Sequence, residues 1–229
     1  MQQHTAARQR ARSIWPHPAA KPVLFIASLL PFAWLFYGAL ADQLGANPAQ
    51  YLSRSTGEWT LRFLCLTLAV TPLRVMASQP ALARFRRLLG LFTYFYACVH
   101  VLCYAWFDMG LDLPDIVKDI PKRPFILVGF AAFLLLTPLA ATSFNRAIKA
   151  MGARRWQMLH KLVYLIAGLG LLHFFWMRAG KNNFAEVAVY AAILAVLLGW
   201  RLREAIRKRR APAAVSLSAA GRPHPRARG

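Results

Sequence analysis

Long apolar runs broken by short arginine-rich segments set the pattern of this chain. A helix needs about 20 residues to cross roughly 30 Å of hydrocarbon. Six almost uncharged stretches approach that length: residues 22–41, 59–75, 88–107, 125–141, 156–177 and 184–200. Arg62 and Glu186 fall near the ends of two of them. Backbone polar groups find no partner in lipid, so each stretch is expected as a helix. The fold class predicted is an all-α, six-helix membrane bundle. It is bounded by a basic N-terminus (1–21) and a basic tail (202–229), with the bundle occupying 22–201 as one domain. The end of the tail, 211–229, is rich in Ala, Pro and Arg and is expected to be disordered, because it holds too little apolar surface for a core. The small residues Ala39 and Ala41 resemble a signal-peptidase site. The run before them is longer than a signal h-region, so the first span is expected to be retained.

Composition agrees with a membrane reading. Hydrophobic residues make up 58% of the 229 and charged residues only 16%. Lys and Arg number 29 against 8 Asp and Glu, an excess that in a soluble chain would suggest nucleic acid. Here the cations flank apolar runs, so anionic lipid and membrane orientation account for them and no nucleic-acid partner is expected. Taken alternately, the connecting segments separate by charge. One set carries Arg8, Arg10, Arg12 and Lys21, then Arg74, Arg84, Arg86 and Arg87, then Arg146, Lys149, Arg154 and Arg155, then the run from Arg201 to Arg210. The other set is poorer in cations and holds most of the acids, among them Asp108, Asp112, Asp115 and Asp119. The first set is expected in the cytoplasm together with both termini. The three cysteines lie inside spans and form no framework for a disulfide or a zinc cage.

Chemistry within the spans rests on histidine. No G-x-G-x-x-G motif or P-loop offers a dinucleotide site, and no carboxylate stands at mid-span as in proton-coupled transporters. His100 falls in the third span and His160 and His173 in the fifth. A single intramembrane histidine is as often a packing hydrogen-bonder as a ligand; three on two helices make a stronger signal. At about 1.5 Å per residue, His100 and His173 both lie roughly 6–10 Å below one face, and His160 about 6 Å below the other. Two neutral imidazoles at one depth in an apolar slot suit the axial positions of a haem. With no C-x-x-C-H, the haem would be b-type, and His160 could hold a second haem or contact a flavin or quinone. Arg62, one turn after Glu58, has a sufficient account as an ion pair; its functional reading is a clamp on a haem propionate. A membrane anchor or transporter-like bundle with structural histidines is the rival.

With these residues in place, the chain resembles the ferric-reductase-like transmembrane domain shared with NADPH oxidases. More narrowly, Thr56-Gly-Glu-Trp-Thr-Leu-Arg62, Thr71-Pro-Leu-Arg74, Arg154-Arg-Trp-Gln-Met-Leu-His-Lys-Leu-Val-Tyr164 and Leu172-His-Phe-Phe-Trp176 resemble the MsrQ family of bacterial haem-binding membrane subunits. The resemblance spans about 21–203. It implies an inner-membrane electron-transfer subunit carrying haem b, with FMN as a further cofactor. The implied donor is a quinol or a cytoplasmic flavin reductase, and the implied acceptor is a periplasmic molybdopterin enzyme that reduces oxidised methionine. A stand-alone ferric-reductase-like cytochrome b is the alternative within the resemblance. One departure stands out: the oxidases carry two histidines about four turns apart on the third span, whereas fourteen residues before His100 this chain has Arg86. His160 thus lacks its expected partner. His160 and His173 also stand about 220° apart on an ideal helix.

Other features have plain accounts. Trp59, Trp106, Trp156, Trp176 and Trp200 fall at span ends, where interfacial anchoring suffices. Arg74, Arg86, Arg87, Arg154 and Arg155 read as orientation determinants, some of which could grip a flavin phosphate. Thr71-Pro72 and Thr137-Pro138 are expected to end or kink their helices, the Thr hydroxyl bonding a freed carbonyl. The charge asymmetry makes a direct prediction: a periplasm-active reporter fused near Asp115 is active and one fused near Lys149 silent. The reverse pattern would overturn the orientation.

Overall fold

A computed structural model describes residues 18–179 and 184–219. The expectations for residues 1–17 and 220–229 lie outside the described residues. The described chain is helical: α1 (Ala20–Leu40), α2 (Pro48–Met76), α3 (Phe85–Cys103), α4 (Leu113–Lys122), α5 (Pro124–Ala141), α6 (Asn145–Met151), α7 (Ala153–His160), α8 (Leu162–Ala179) and α9 (Ala185–Ala219). Six segments are long and apolar enough to cross a membrane, supplied by α1, α2, α3 with its flanking turns, α5, α7 with α8, and α9. Two pairs form the centre of the bundle, α2 against α3 and α5 against α8. Between them lies a core of Leu61, Leu64, Leu68, Leu136 and Ile166 with the small residues Ala97, Ala132 and Ala167. Lipid tails are as apolar as leucine, so close backbone approach at small residues, rather than apolar burial, holds such helices together.

Several boundaries differ from the sequence expectation, each for a local reason. α2 begins at Pro48 rather than near Trp59, because the Asn47 side chain accepts from Gln50 N at 3.0 Å and proline occupies the first turn. The third span is extended by a π-helical turn, Tyr104–Asp108. The loop expected after it contains α4, started by the Asp112 carboxylate accepting from Asp115 N at 3.0 Å. The fifth span breaks at Lys161 between α7 and α8, where the backbone bonds tighten to i→i−3. The last helix runs on to Ala219, past the expected end of the sixth span at residue 200; its Ala, Arg and Lys residues are strong helix formers.

Prolines inside the spans free backbone carbonyls, and the bundle answers them with side chains from other helices. Pro72 has no N–H for Leu68, whose carbonyl accepts instead from Arg201 Nη2 at 2.6 Å. The partner is therefore an arginine of α9, not the Thr71 hydroxyl expected. Thr137 does bond back along its own helix, to the Phe133 carbonyl at 2.9 Å. Near Pro31, the Tyr96 hydroxyl enters the α1 ladder: it accepts from Phe32 N at 3.0 Å and donates to the Ser28 carbonyl at 2.9 Å. Those two groups would otherwise bond each other. Tyr96 is fully buried at 0% exposure, and its ring stacks on Phe63 at 5.1 Å. It thus fixes α1 to the α2–α3 pair. Tyr96→Phe deletes both bonds that tie α1 to α3 and is expected to cost about 1–3 kcal/mol, read as a lowered thermal midpoint of the solubilised protein. An unchanged midpoint would contradict this role.

Candidate functional site

The centre of the bundle is organised around two histidines held in the same way. His100 on α3 donates from Nδ1 to the Ser53 carbonyl of α2 at 2.8 Å. His173 on α8 donates from Nδ1 to the Phe125 carbonyl of α5 at 2.7 Å. A carbonyl only accepts, so both Nδ1 atoms carry the proton and both Nε2 lone pairs remain available. Ordinarily the side chain four residues on crowds a helix carbonyl, and here both crowding positions are glycine. Four residues after Ser53 is Gly57, and four after Phe125 is Gly129. A Cβ on Gly57 would stand 3.0 Å from His100 Cε1, and one on Gly129 would stand 2.7 Å from His173 Nδ1. Each glycine therefore makes the space in which an imidazole reaches the backbone of the facing helix. The result places the two ring centroids 6.1 Å apart with their planes at 72°.

These rings line a cavity of about 680 Å³ between α2, α3, α5 and α8. Most of its wall is apolar, from Leu61, Leu64, Leu136, Ile166 and Phe174, and Arg54, Glu58, Arg123 and Arg178 also line it. The Glu58 carboxylate accepts from three guanidinium groups: Arg54 at 3.2 Å, Arg62 at 3.0 Å and Arg178 at 2.8 Å. Arg178 also pairs with Glu186. It is only 4% exposed, a burial that a guanidinium tolerates because both carboxylates compensate it. Beyond the spans, Asp119 accepts from Tyr104 Oη at 2.7 Å and from Arg123 Nε at 2.8 Å. The Arg123 guanidinium, then the Tyr104 hydroxyl, holds the Asp119 carboxyl below the usual carboxylate range.

The site residues named from sequence separate into three places. His100 and His173 share the cavity. Arg62 does not line it: its Nε donates to Tyr190 Oη at 3.2 Å and its guanidinium lies 4.6 Å over the Trp59 ring, beside a second cavity. His160 lies apart at the basic end, stacked 3.9 Å from Trp156, with Nδ1 3.1 Å from the Trp156 carbonyl. Its Nε2 is buried without a hydrogen-bond partner among the described residues. The break at Lys161 means that the ideal-helix angle between His160 and His173 does not apply. Among the described residues no group of three or more His, Cys, Asp or Glu is placed to hold a metal ion. Sequence reasoning missed Gly57, Gly129, Arg54 and Arg178; the available signal was a glycine inside an apolar helical run, which calls for a packing reason.

Residues 56–171 match the family described as the ferric reductase like transmembrane component; His100 and His160 lie within the match, His173 two residues beyond it. The chain is similar to the protein-methionine-sulfoxide reductase heme-binding subunit MsrQ of Polaromonas naphthalenivorans, 74% identical, covering 86% of this chain and 90% of that one. Proteins of the same name from Herminiimonas arsenicoxydans and Xanthomonas campestris pv. campestris are 54% and 45% identical, covering 82% and 85% of this chain and 87% and 91% of theirs. No solved structure matches. The glycine geometry makes a graded prediction: Gly129→Ala, with the closer clash, lowers haem retention in the purified protein more than Gly57→Ala does. Equal, wild-type retention in both would contradict the cradle.

Proposed function

The chain belongs to the MsrQ subunits of the ferric-reductase-like transmembrane family, multi-pass inner-membrane proteins, and from that premise we propose that it is a haem b electron-transfer subunit in which His100 and His173 would hold the haem. The observation that carries this is the pair of imidazoles with Nδ1 bonded outward and Nε2 open, 6.1 Å between centroids. Two imidazoles binding one metal through Nε2 from opposite sides, each at roughly 2 Å, have ring centres about 6 Å apart. The relatives' names, which call them heme-binding subunits, point the same way.

Bound haem supplies one-electron exchange between ferric and ferrous iron. The chain's residues do the rest. The Ser53 and Phe125 carbonyls fix the tautomer and raise the basicity of each imidazole. The apolar wall keeps water from the metal edge and thereby tunes its potential. Arg54 and Arg178, which line that mouth, are better placed than Arg62 to meet the propionates. The alternating charge of the loops supports an orientation with α4 on the periplasmic side. An acceptor there, a periplasmic molybdopterin methionine sulfoxide reductase subunit, would dock against α4 near Asp112 and Asp115. The donor is a quinol or a cytoplasmic flavin reductase.

At the opposite, basic end we assign FMN to the arginine-rich segments around Arg86, Arg87, Arg154 and Arg155. Arg87 is already oriented there by Asn145 at 2.9 Å, and among the described residues Arg201 Nε and His160 Nε2 are buried without a hydrogen-bond partner. His160 is the imidazole on this entry side. Flavin released on denaturing protein purified without added FMN tests that assignment.

The reduced spectrum tests the ligands. A bis-histidine b haem gives a sharp α band, and His100→Ala or His173→Ala is expected to abolish it or convert the haem to high spin. His160→Ala should leave it in place. If both single variants at 100 and 173 kept the wild-type low-spin spectrum and full haem content, the ligand assignment would be wrong.

A further inference from the structure

Between α1 and α2 lies a second cavity of about 420 Å³. Pro31 and Trp34 of α1 form one wall and Tyr51, Glu58, Trp59 and Arg62 of α2 the other. Glu58 lines this cavity and the histidine cavity alike, and its neighbour Gly57 abuts the His100 ring. The two spaces therefore flank α2 at one level of the bundle and share Glu58 as a wall.

The cavity's construction says what it would take. It opens on the lipid-facing side of a membrane-length helix, where Leu30 and Trp34 are 60% and 67% exposed, so its occupant arrives from the bilayer. Flat aromatic surface from Trp34, Tyr51 and Trp59 faces a polar pair, Glu58 and Arg62, bonded to each other at 3.0 Å. An acyl chain has no partner for those groups, whereas an aromatic ring carrying two oxygens has one for each. The α1 wall is also fixed in place, since Tyr96 bonds the backbone on either side of Pro31. A volume of this order is ordinary for a small-ligand pocket.

We infer that this cavity binds a lipid-soluble hydroquinone and its quinone, the ring lying among the aromatic side chains and the oxygens meeting Glu58 and Arg62. The inference rests on the electron-transfer reading above and locates one of its two donors. Oxidation of the hydroquinone breaks two O–H bonds and releases two electrons and two protons. Haem held by His100 and His173 would take these electrons singly, the outer sulfoxide reductase subunit reoxidising it between the two transfers, and the two protons would pass to water. Glu58, held by three guanidinium groups, serves as hydrogen-bond acceptor for the hydroxyl.

The test uses haem-loaded protein in nanodiscs and a photoreactive azidoquinone with a short isoprenoid tail. Labelling is expected within residues 27–35 or 51–62 and is competed by unlabelled quinone. Ala27→Trp, an exposed cavity-lining position filled by a bulky ring, removes the labelling. It also slows haem reduction by decylubiquinol about tenfold or more, while dithionite still gives the wild-type reduced spectrum, which shows that the bundle is intact. Trp34→Ala weakens labelling in the same direction. Labelling that maps to the basic end, persists unchanged in Ala27→Trp, or is competed by phospholipid and not by quinone would overturn the site. A wild-type protein without a haem spectrum would contradict the haem assignment, while labelling would still decide the quinone site.

Discussion

Everything at the centre of this bundle depends on two hydrogen bonds that cross between helices: His100 to the Ser53 carbonyl and His173 to the Phe125 carbonyl. Helix carbonyls are normally consumed by their own ladder, and a second donor reaches one only where the covering side chain is missing. Gly57 and Gly129 provide that opening, one on each partner helix. Each bond does three things at once. It joins a helix pair, sets the tautomer, and leaves the Nε2 lone pair free of that bond. The glycines weaken their helices intrinsically, a cost offset by the close approach they allow. The site is thus built from the packing of α2 on α3 and α5 on α8, not added to it.

The same economy governs the remaining polar groups. In a structure surrounded by hydrocarbon, a group without a partner is costly, and the bundle uses such groups as long-range ties. Tyr96 joins α1 to α3 at the opened ladder near Pro31, Arg201 joins α9 to α2 at the carbonyl freed by Pro72, and Arg178 joins α8 to α2 and α9 through Glu58 and Glu186. Buried ion clusters are poor sources of net stability; this one is better understood as fixing the charge at the mouth of the histidine cavity. Glu58 is the pivot, since it lines both cavities.

Much of this was legible in the residue pattern, and what was not has identifiable causes. The six spans followed from apolar length, and the pairing of His100 with His173 followed from depth alone, because rise per residue is a fixed property of a helix. Azimuth is not fixed by depth. Arg62 shares the depth of the histidines but turns to Tyr190 and Trp59, while Arg178, which read as a loop cation, is buried at the mouth. The break at Lys161 was hidden because no glycine or proline marks it, and α4 was hidden because a ten-residue helix in an acidic loop is specified by the Asp112 cap rather than by apolar length. The two glycines were visible as residues, but their purpose required the facing histidines.

The 72° between the imidazole planes makes the central claim measurable in one experiment. When two imidazoles ligate one ferric haem with their planes near perpendicular, the low-spin electron paramagnetic resonance signal is strongly anisotropic, with its largest g value well above that of a parallel pair. Protein as purified, frozen in the ferric state, is expected to give that highly anisotropic low-spin signal. A high-spin ferric signal alone, or the rhombic low-spin signal of parallel imidazoles, would contradict a haem held between His100 and His173 as these carbonyl bonds orient them.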